Sequence, residues 1–327
     1  MVGCGGAHVT PSVFILGGTG FIGREVVTQA VVHGFEVKAL ARSDEAQARL
    51  RALGAEPIAG DAETPDAWRE QLRGADVLID LLQPKFPKRL TRRAVATMSV
   101  HRQRFTAGLL EAITALPEAE RPLLFCVSGA EDLQPDQRGR ITAASPLRSN
   151  ARAFSAIGVP VRRLIEGSGV DATYVYFGAL VYGPGKAFAE VIVDGLRKHR
   201  ARVVGSGSNR LPLVHVSDAA GALVHLAGLP RDQVASRAFL ATDGSATTQR
   251  DLLNLTAELM GRKHPGAVPA WLAALVAGRV AAESITLDAH DDPSALRETG
   301  FAFGFPSPRE GVPESLERLG ELAQAHG

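Results

Sequence analysis

Short runs of consecutive apolar residues alternate, through the first half of the chain, with longer stretches whose apolar positions recur every three to four residues. Residues 13–16, 37–41, 57–59, 77–82, 123–128 and 173–180 have strand length and are largely apolar, as strands covered on both faces are. Residues 94–116, between the fourth and fifth of these runs, carry helical spacing and stop before Pro117. Strand and helix in alternation predict an α/β fold, a doubly wound parallel sheet with helices on both faces. From Tyr182 onward the rhythm becomes irregular, with a Gly205-Ser-Gly-Ser-Asn209 loop and Pro265, Pro269, Pro293, Pro306 and Pro308 interrupting short elements. The longest apolar run, residues 268–278, ends at Arg279, is too short to span a bilayer, and reads as a buried helix.

The junction after the first strand is the most specific feature. Val13-Phe-Ile-Leu-Gly17-Gly-Thr19-Gly20-Phe21-Ile22-Gly23 leads an apolar strand into a glycine-rich turn and then a helix. Gly17 permits the tight turn, Gly20 lets backbone approach a phosphate, and Gly23 lets the helix pack closely. The helix N-terminus offers free N–H groups and a positive dipole end to an anion. Strand, turn and helix in this order predict a dinucleotide pocket with Thr19, Phe21 and Ile22 in its turn. The chain accordingly divides into a dinucleotide-binding part over residues 1–180 and a smaller, mainly substrate-binding part over 181–327. Some segments of the second part return to the core of the first.

Composition narrows the classes without changing this picture. A length of 327 residues suits one large α/β unit with an appendage, and 45% hydrophobic with 22% charged residues is ordinary for a folded soluble protein. A formal net charge of +1 argues against nucleic acid or another polyanion as the partner. Two cysteines, Cys4 in a loose start and Cys126 in an apolar run, suggest neither a disulfide framework nor a metal site and fit a reducing cytoplasm. The histidines and carboxylates show no ligand spacing, so no metal is expected. No secretory signal and no membrane segment are visible.

Further motifs carry a resemblance. Gly60-Asp61 follows the third strand, and Val181-Tyr-Gly-Pro-Gly185 follows the sixth. Gly205-Ser-Gly-Ser-Asn-Arg210 leads into Val214-His-Val-Ser-Asp218. With the glycine turn, and over nearly its whole length, the chain resembles the extended short-chain dehydrogenase/reductases, the NAD-dependent epimerase/dehydratase-like group of the Rossmann superfamily. That resemblance implies a Rossmann-type sheet and a nicotinamide cofactor. NAD-selective folds place an acidic residue at the end of the second strand, whereas this chain has Ala41-Arg42-Ser43. Arg42 offers a guanidinium fork and Ser43 a hydroxyl to a 2′-phosphate, which favours NADP(H). By resemblance, Asp61, with Ala62 beside it, accepts from the adenine amino group. Leu81, Leu82 and Gln83 follow the ribose and nicotinamide, and Phe177 replaces a proline that packs by the nicotinamide in relatives.

The catalytic pair of the family is missing. Its proton donor is a tyrosine with a lysine four residues on; those positions fall near Phe154 and Gly158. No tyrosine precedes Tyr174, and no lysine lies between Lys88 and Lys186. A serine at the end of the fifth strand remains, Ser128, expected both to touch the cofactor and to hold a substrate oxygen. Ser99 and His101, on the helix after strand four, are further catalytic candidates because the resemblance turns that helix toward the same cavity. An ordinary hydroxyl is a weak acid at neutral pH, so the proton is expected from a substrate hydroxyl or from water. The chain looks compatible with tyrosine-free ketoreductases of aromatic, angucyclinone-type polyketides, which act in antibiotic biosynthesis. The expectation is an NADPH-dependent ketoreductase of a small-molecule or polycyclic ketone. The alternative is a non-catalytic NADP-binding regulator or assembly protein; an epimerase would need the tyrosine. Arg210 and Lys186 could meet a substrate diphosphate or simply be solvated, and His215 and Asp218 read as structural ties. Arg89, Arg92, Arg93, Arg102 and Arg104 load the usual dimer helices with charge, favouring a monomer.

Overall fold

The computed structural model describes residues 10–87, 89–151 and 153–323. The expected loose start, Cys4 included, lies mostly outside the described residues. Seven parallel strands make the centre of the fold: β1 (Ser12–Leu16), β2 (Glu36–Ala41), β3 (Glu56–Ala59), β4 (Val77–Asp80), β5 (Leu123–Gly129), β6 (Ala172–Phe177) and β7 (Ala238–Ala241). Their order is β7-β6-β5-β4-β1-β2-β3, so the winding reverses between β1 and β4, where ligands bind above the strand ends.

The apolar runs follow from burial on both faces. In β1, Val13 and Ile15 enter one core with α1 (Phe21–Val32) and α5 (Val216–Ala227), while Phe14 and Leu16 enter the other with α3 (Arg92–Thr114) and α4 (Ser155–Glu166). Alternation of side chains across a doubly covered sheet leaves no polar face to interrupt the run. A third, smaller core gathers Tyr182, Phe188, Leu213, Leu252, Val312 and Leu316 from the later half, including α6 (Gln249–Leu259) and α8 (Pro308–Leu319).

Three expectations are corrected here. The strand expected over 173–180 stops at Phe177, because at Gly178 the chain passes so close to Pro212 that a Cβ would lie 2.3 Å from its carbonyl oxygen. Leu180–Tyr182 pairs instead with Leu213–His215 in a separate two-stranded sheet. The strand expected over 77–82 ends at Asp80, whose carboxylate accepts from the Leu82 N–H at 3.1 Å and turns the chain. The run 268–278 holds a helix, α7 (Ala270–Ala277), but it is not buried: Trp271 is 66% and Val276 74% exposed. Its apolar residues surround the axis, and none of them is buried.

His215 and Asp218 tie the later half together. Buried His215 has its Nε2 3.0 Å from a Glu314 oxygen and 3.2 Å from Ser315 Oγ, both on α8. Asp218 accepts from the Gly304 and Phe305 N–H groups, each at 2.8 Å.

Candidate functional site

The glycine turn after β1 is shaped as its sequence requires. Gly17 has φ +84°, and its carbonyl accepts from the Gly20 N–H at 2.9 Å. At Gly23 a Cβ would stand 2.1 Å from the Gly17 carbonyl oxygen, so only glycine lets α1 begin against the turn. Gly20, the residue before α1, brings no capping side chain to the first-turn N–H groups. This cradle fits the pyrophosphate of a dinucleotide.

Beside it opens a cleft of about 550 Å³ over the C-terminal ends of β1 to β4. Gly17, Thr19, Arg42 and Ser43 line it on one side, and Asp61, Ala62, Leu82 and Gln83 on the other. Ser43 also caps α2 (Asp44–Ala52), accepting from the Ala46 N–H at 3.3 Å. Asp61 is engaged in its own turn, accepting from the Glu63 N–H at 3.0 Å.

Other expected residues stand behind the cleft. Phe21 packs under the Gly183–Gly185 loop, where a Cβ on Gly185 would be 3.0 Å from its ring. Ile22 and Leu81 pack on the main core, and the Leu81 backbone closes on Gly17. Phe177 is 5% exposed within that same core and forms no wall of the cleft.

Two catalytic candidates are corrected. Ser99 faces α4: its Oγ donates to the Ala156 carbonyl at 2.7 Å and accepts from Gln103 at 3.1 Å, joining the two helices. His101 lines the cleft next to Asp61 and Ala62, with Nε2 3.0 Å from Glu63, away from the end of β5. Arg102 is likewise no surface charge. It is buried against Asp80 at 2.5 Å, and its Nη1 has no partner although the residue borders the cleft. Arg210 is not free: partly exposed, it forms a two-pronged ion pair with Asp288.

A second cavity, about 570 Å³, opens between the end of β5 and the later half. Leu90, Ile141, Leu180, Ile192, Leu252 and Ile285 give it an apolar lining, with alanines of α7 and of the helix Arg279–Ile285 across from them. Gly129, Ala130 and Glu131, the residues directly after Ser128, form part of the wall, as does Phe154. Few polar groups reach it. Asp291 is 4% exposed with both carboxyl oxygens unpartnered, and the Ser284 hydroxyl is also unpartnered. Burial pushes Asp291 up to about 7.

Ser128, one residue before the end of β5, is half-buried, and its Oγ donates to Asp132 Oδ2 at 2.5 Å. Sequence reasoning passed over Asp132, although a carboxylate four residues after a strand-end serine was a signal it could have used. Burial pushes Asp132 up to about 8 and Glu131 up to about 7. Cys126, in the same strand, is buried and its thiol is pushed up to about 12, which disfavours the nucleophilic thiolate. Among the described residues, no group of three or more His, Cys, Asp or Glu could hold a metal ion.

Residues 17–204 match the model of the NAD(P)H-binding family. The chain belongs to that family. As an NAD(P)H-binding protein of Rossmann type it is 28% identical over 257 residues to 4-hydroxy-2-methyl-3-oxo-4-farnesyl-3,4-dihydroquinoline-1-oxide ketoreductase of Stigmatella aurantiaca, covering 76% of this chain and 73% of that one. Over a shorter stretch, 70 residues, it is 37% identical to photosystem II assembly factor Ycf39 of Cyanidium caldarium, covering 21% of this chain and 22% of that protein. In fold it resembles human epimerase family protein SDR39U1, solved with NADPH, at TM-score 0.77 and 22% identity over 94% of this chain and all (100%) of that one. Among the described residues no helix is long and apolar enough to cross a membrane.

Proposed function

We propose that this NAD(P)H-binding protein is an NADPH-dependent ketoreductase that reduces a carbonyl of an apolar, ring-bearing small molecule without the tyrosine and lysine of its relatives. The observation that carries this reading is the apolar cavity, whose wall runs on directly from Ser128 through Gly129, Ala130 and Glu131. A reduced nicotinamide, when bound, supplies hydride. Ser128 Oγ–H donates to the carbonyl oxygen and orients it. Arg42 in the cleft favours the 2′-phosphate of NADPH, since a charge-assisted fork is strong where NADH has only a hydroxyl.

The cavity also bears on substrate class. Its lining suits hydrocarbon rings and excludes a hydrated diphosphate, and buried Asp291 with Ser284 offers hydrogen bonds to one polar group on such a ring. Similarity to a ketoreductase of a farnesylated quinoline supports this class, and a polycyclic aromatic polyketide has the same character. The experiment is loss of NADPH absorbance against a panel of aromatic and polycyclic ketones, with NADH in parallel. Consumption with at least one apolar ketone, faster with NADPH, is expected. The second reading is a non-catalytic NADP-binding regulator or assembly protein, favoured by Phe154 and Gly158 in place of the catalytic pair and by the likeness to Ycf39. Tight NADPH binding with no consumption across the panel would establish it in place of the first.

A further inference from the structure

Asp132 closes a single 3-10 turn, Ala130–Asp132, that follows β5. It is 1% exposed, and its carboxyl oxygen lies 2.5 Å from Ser128 Oγ. Its main-chain carbonyl accepts from the Arg148 N–H at 2.8 Å, which pins the turn. Across from it on α4 is Gly158, near the position of the missing lysine, and a Cβ there would stand 1.9 Å from Asp132 Oδ2. The carboxyl group therefore takes the space in which a lysine side chain would begin. Phe154, near the tyrosine's position, stacks edge-on against Phe86 and serves as cavity wall.

We propose that the Asp132 carboxyl group is the proton reservoir for carbonyl reduction and delivers its proton through Ser128, in place of the absent tyrosine and lysine. This rests on the ketoreductase reading and replaces water or a substrate hydroxyl as the proton source. In the structure Ser128 Oγ donates to Asp132 Oδ2; with Asp132 protonated and a ketone bound, this hydrogen bond reverses, so that Asp132 donates to Ser128 Oγ while Ser128 donates to the carbonyl, and the hydroxyl passes a proton without changing its own charge. As hydride reaches the carbonyl carbon, the C=O π pair moves onto oxygen. Oxygen takes the Ser128 hydroxyl proton while Ser128 Oγ takes the Asp132 proton. Ketone, hydride and proton become an alcohol, the nicotinamide leaves oxidised, and Asp132 is left as carboxylate. Water reaching half-buried Ser128 after product release returns the proton by the same path.

The surroundings keep the acid neutral at the start. Burial raises Asp132 most, and Glu131 on the same turn raises it further. The Ser128 hydrogen bond, Arg148 from the following loop and Arg162 from α4 oppose this, leaving it at about 8. Cys126 and Tyr176, on the adjoining strands, are themselves pushed up by burial and stay neutral at that pH. A donor near the working pH is the most effective general acid.

The test uses the full chain. Infrared difference spectra between pH 6 and pH 10, taken without cofactor, report carboxylic C=O groups, and NADPH oxidation with a ketone from the panel reports turnover. The wild-type protein is expected to lose an acid band and its reduction rate with the same midpoint, near 8. Asp132→Asn is expected to lack that band, to reduce on the order of 100-fold more slowly, and to show no alkaline limb. Ser128→Ala is expected to keep the band at a shifted frequency while losing turnover. Asp132→Asn reducing at the wild-type rate with the wild-type pH profile overturns the proposal, as does an Asp132 already ionised at pH 6. The coincidence of the two wild-type midpoints needs no variant, so the proposal stays exposed if Asp132→Asn does not fold. A wild-type protein that reduces no ketone instead overturns the ketoreductase reading and the reservoir with it.

Discussion

A single methyl group at Gly23 would collide with the Gly17 carbonyl oxygen, since a Cβ there lies 2.1 Å away against backbone that cannot swing aside. Gly23→Ala is therefore expected to abolish measurable NADPH binding by calorimetry. Arg42→Ala leaves the cradle intact and removes only the fork, so NADPH affinity should fall roughly 10- to 100-fold while NADH affinity stays unchanged. The places of both residues, in the turn and beside the cleft, were legible in the sequence, because the turn's glycines and the missing acid at the end of β2 are local signals. Ser99 was misplaced because its direction depends on the rotation of α3 about its axis, which is set by packing on α4. Asp132 carried one local signal, its place four residues after Ser128, but its burial depends on Gly158, which local pattern does not bring next to it. Phe177 kept its strand but faces the core, since alternation in β6 is fixed by the sheet's two coverings.

At the level of elements, the Asp80–Arg102 pair joins β4 to α3 directly beneath the cleft. Removing one partner strands the other charge out of water, so Asp80→Asn should cost about 3–5 kcal/mol of stability, read as a lowered Tm and an earlier denaturant midpoint. The helical spacing of 94–116 predicted α3 but gave Arg102 to solvent. Charge by itself does not reveal an interior partner on the neighbouring strand. The edge strand β7 was not foreseen, because four apolar residues, Ala238–Ala241, in an irregular region are too few for periodicity to distinguish. The opposite error was made at α7, where continuous apolarity suggested burial. Uniform apolarity carries no directional information, and this helix shows only alanines to the cavity.

The whole molecule carries several carboxyl groups that burial pushes up: Asp132 to about 8, Glu131 and Asp291 to about 7, and Asp243 to about 6. In the unfolded chain these groups ionise near pH 4. Between that pH and their folded values the native state holds more protons than the unfolded one, so stability decreases as pH rises. Buried His215, held below its ordinary value by burial, works the opposite way below about pH 6.5, so the Tm is expected to fall from about pH 6.5 to pH 8 in scanning calorimetry, and Asp291→Asn should make that fall shallower.

Gly158 also bears on how the chain could change over time. Restoring a lysine there drives its first carbon into the Asp132 carboxyl, while trimming Asp132 first strips Ser128 of its partner before anything replaces it. On the proposed relay, each order of substitutions passes through a form with neither proton source complete, so the two arrangements are not interchangeable one residue at a time.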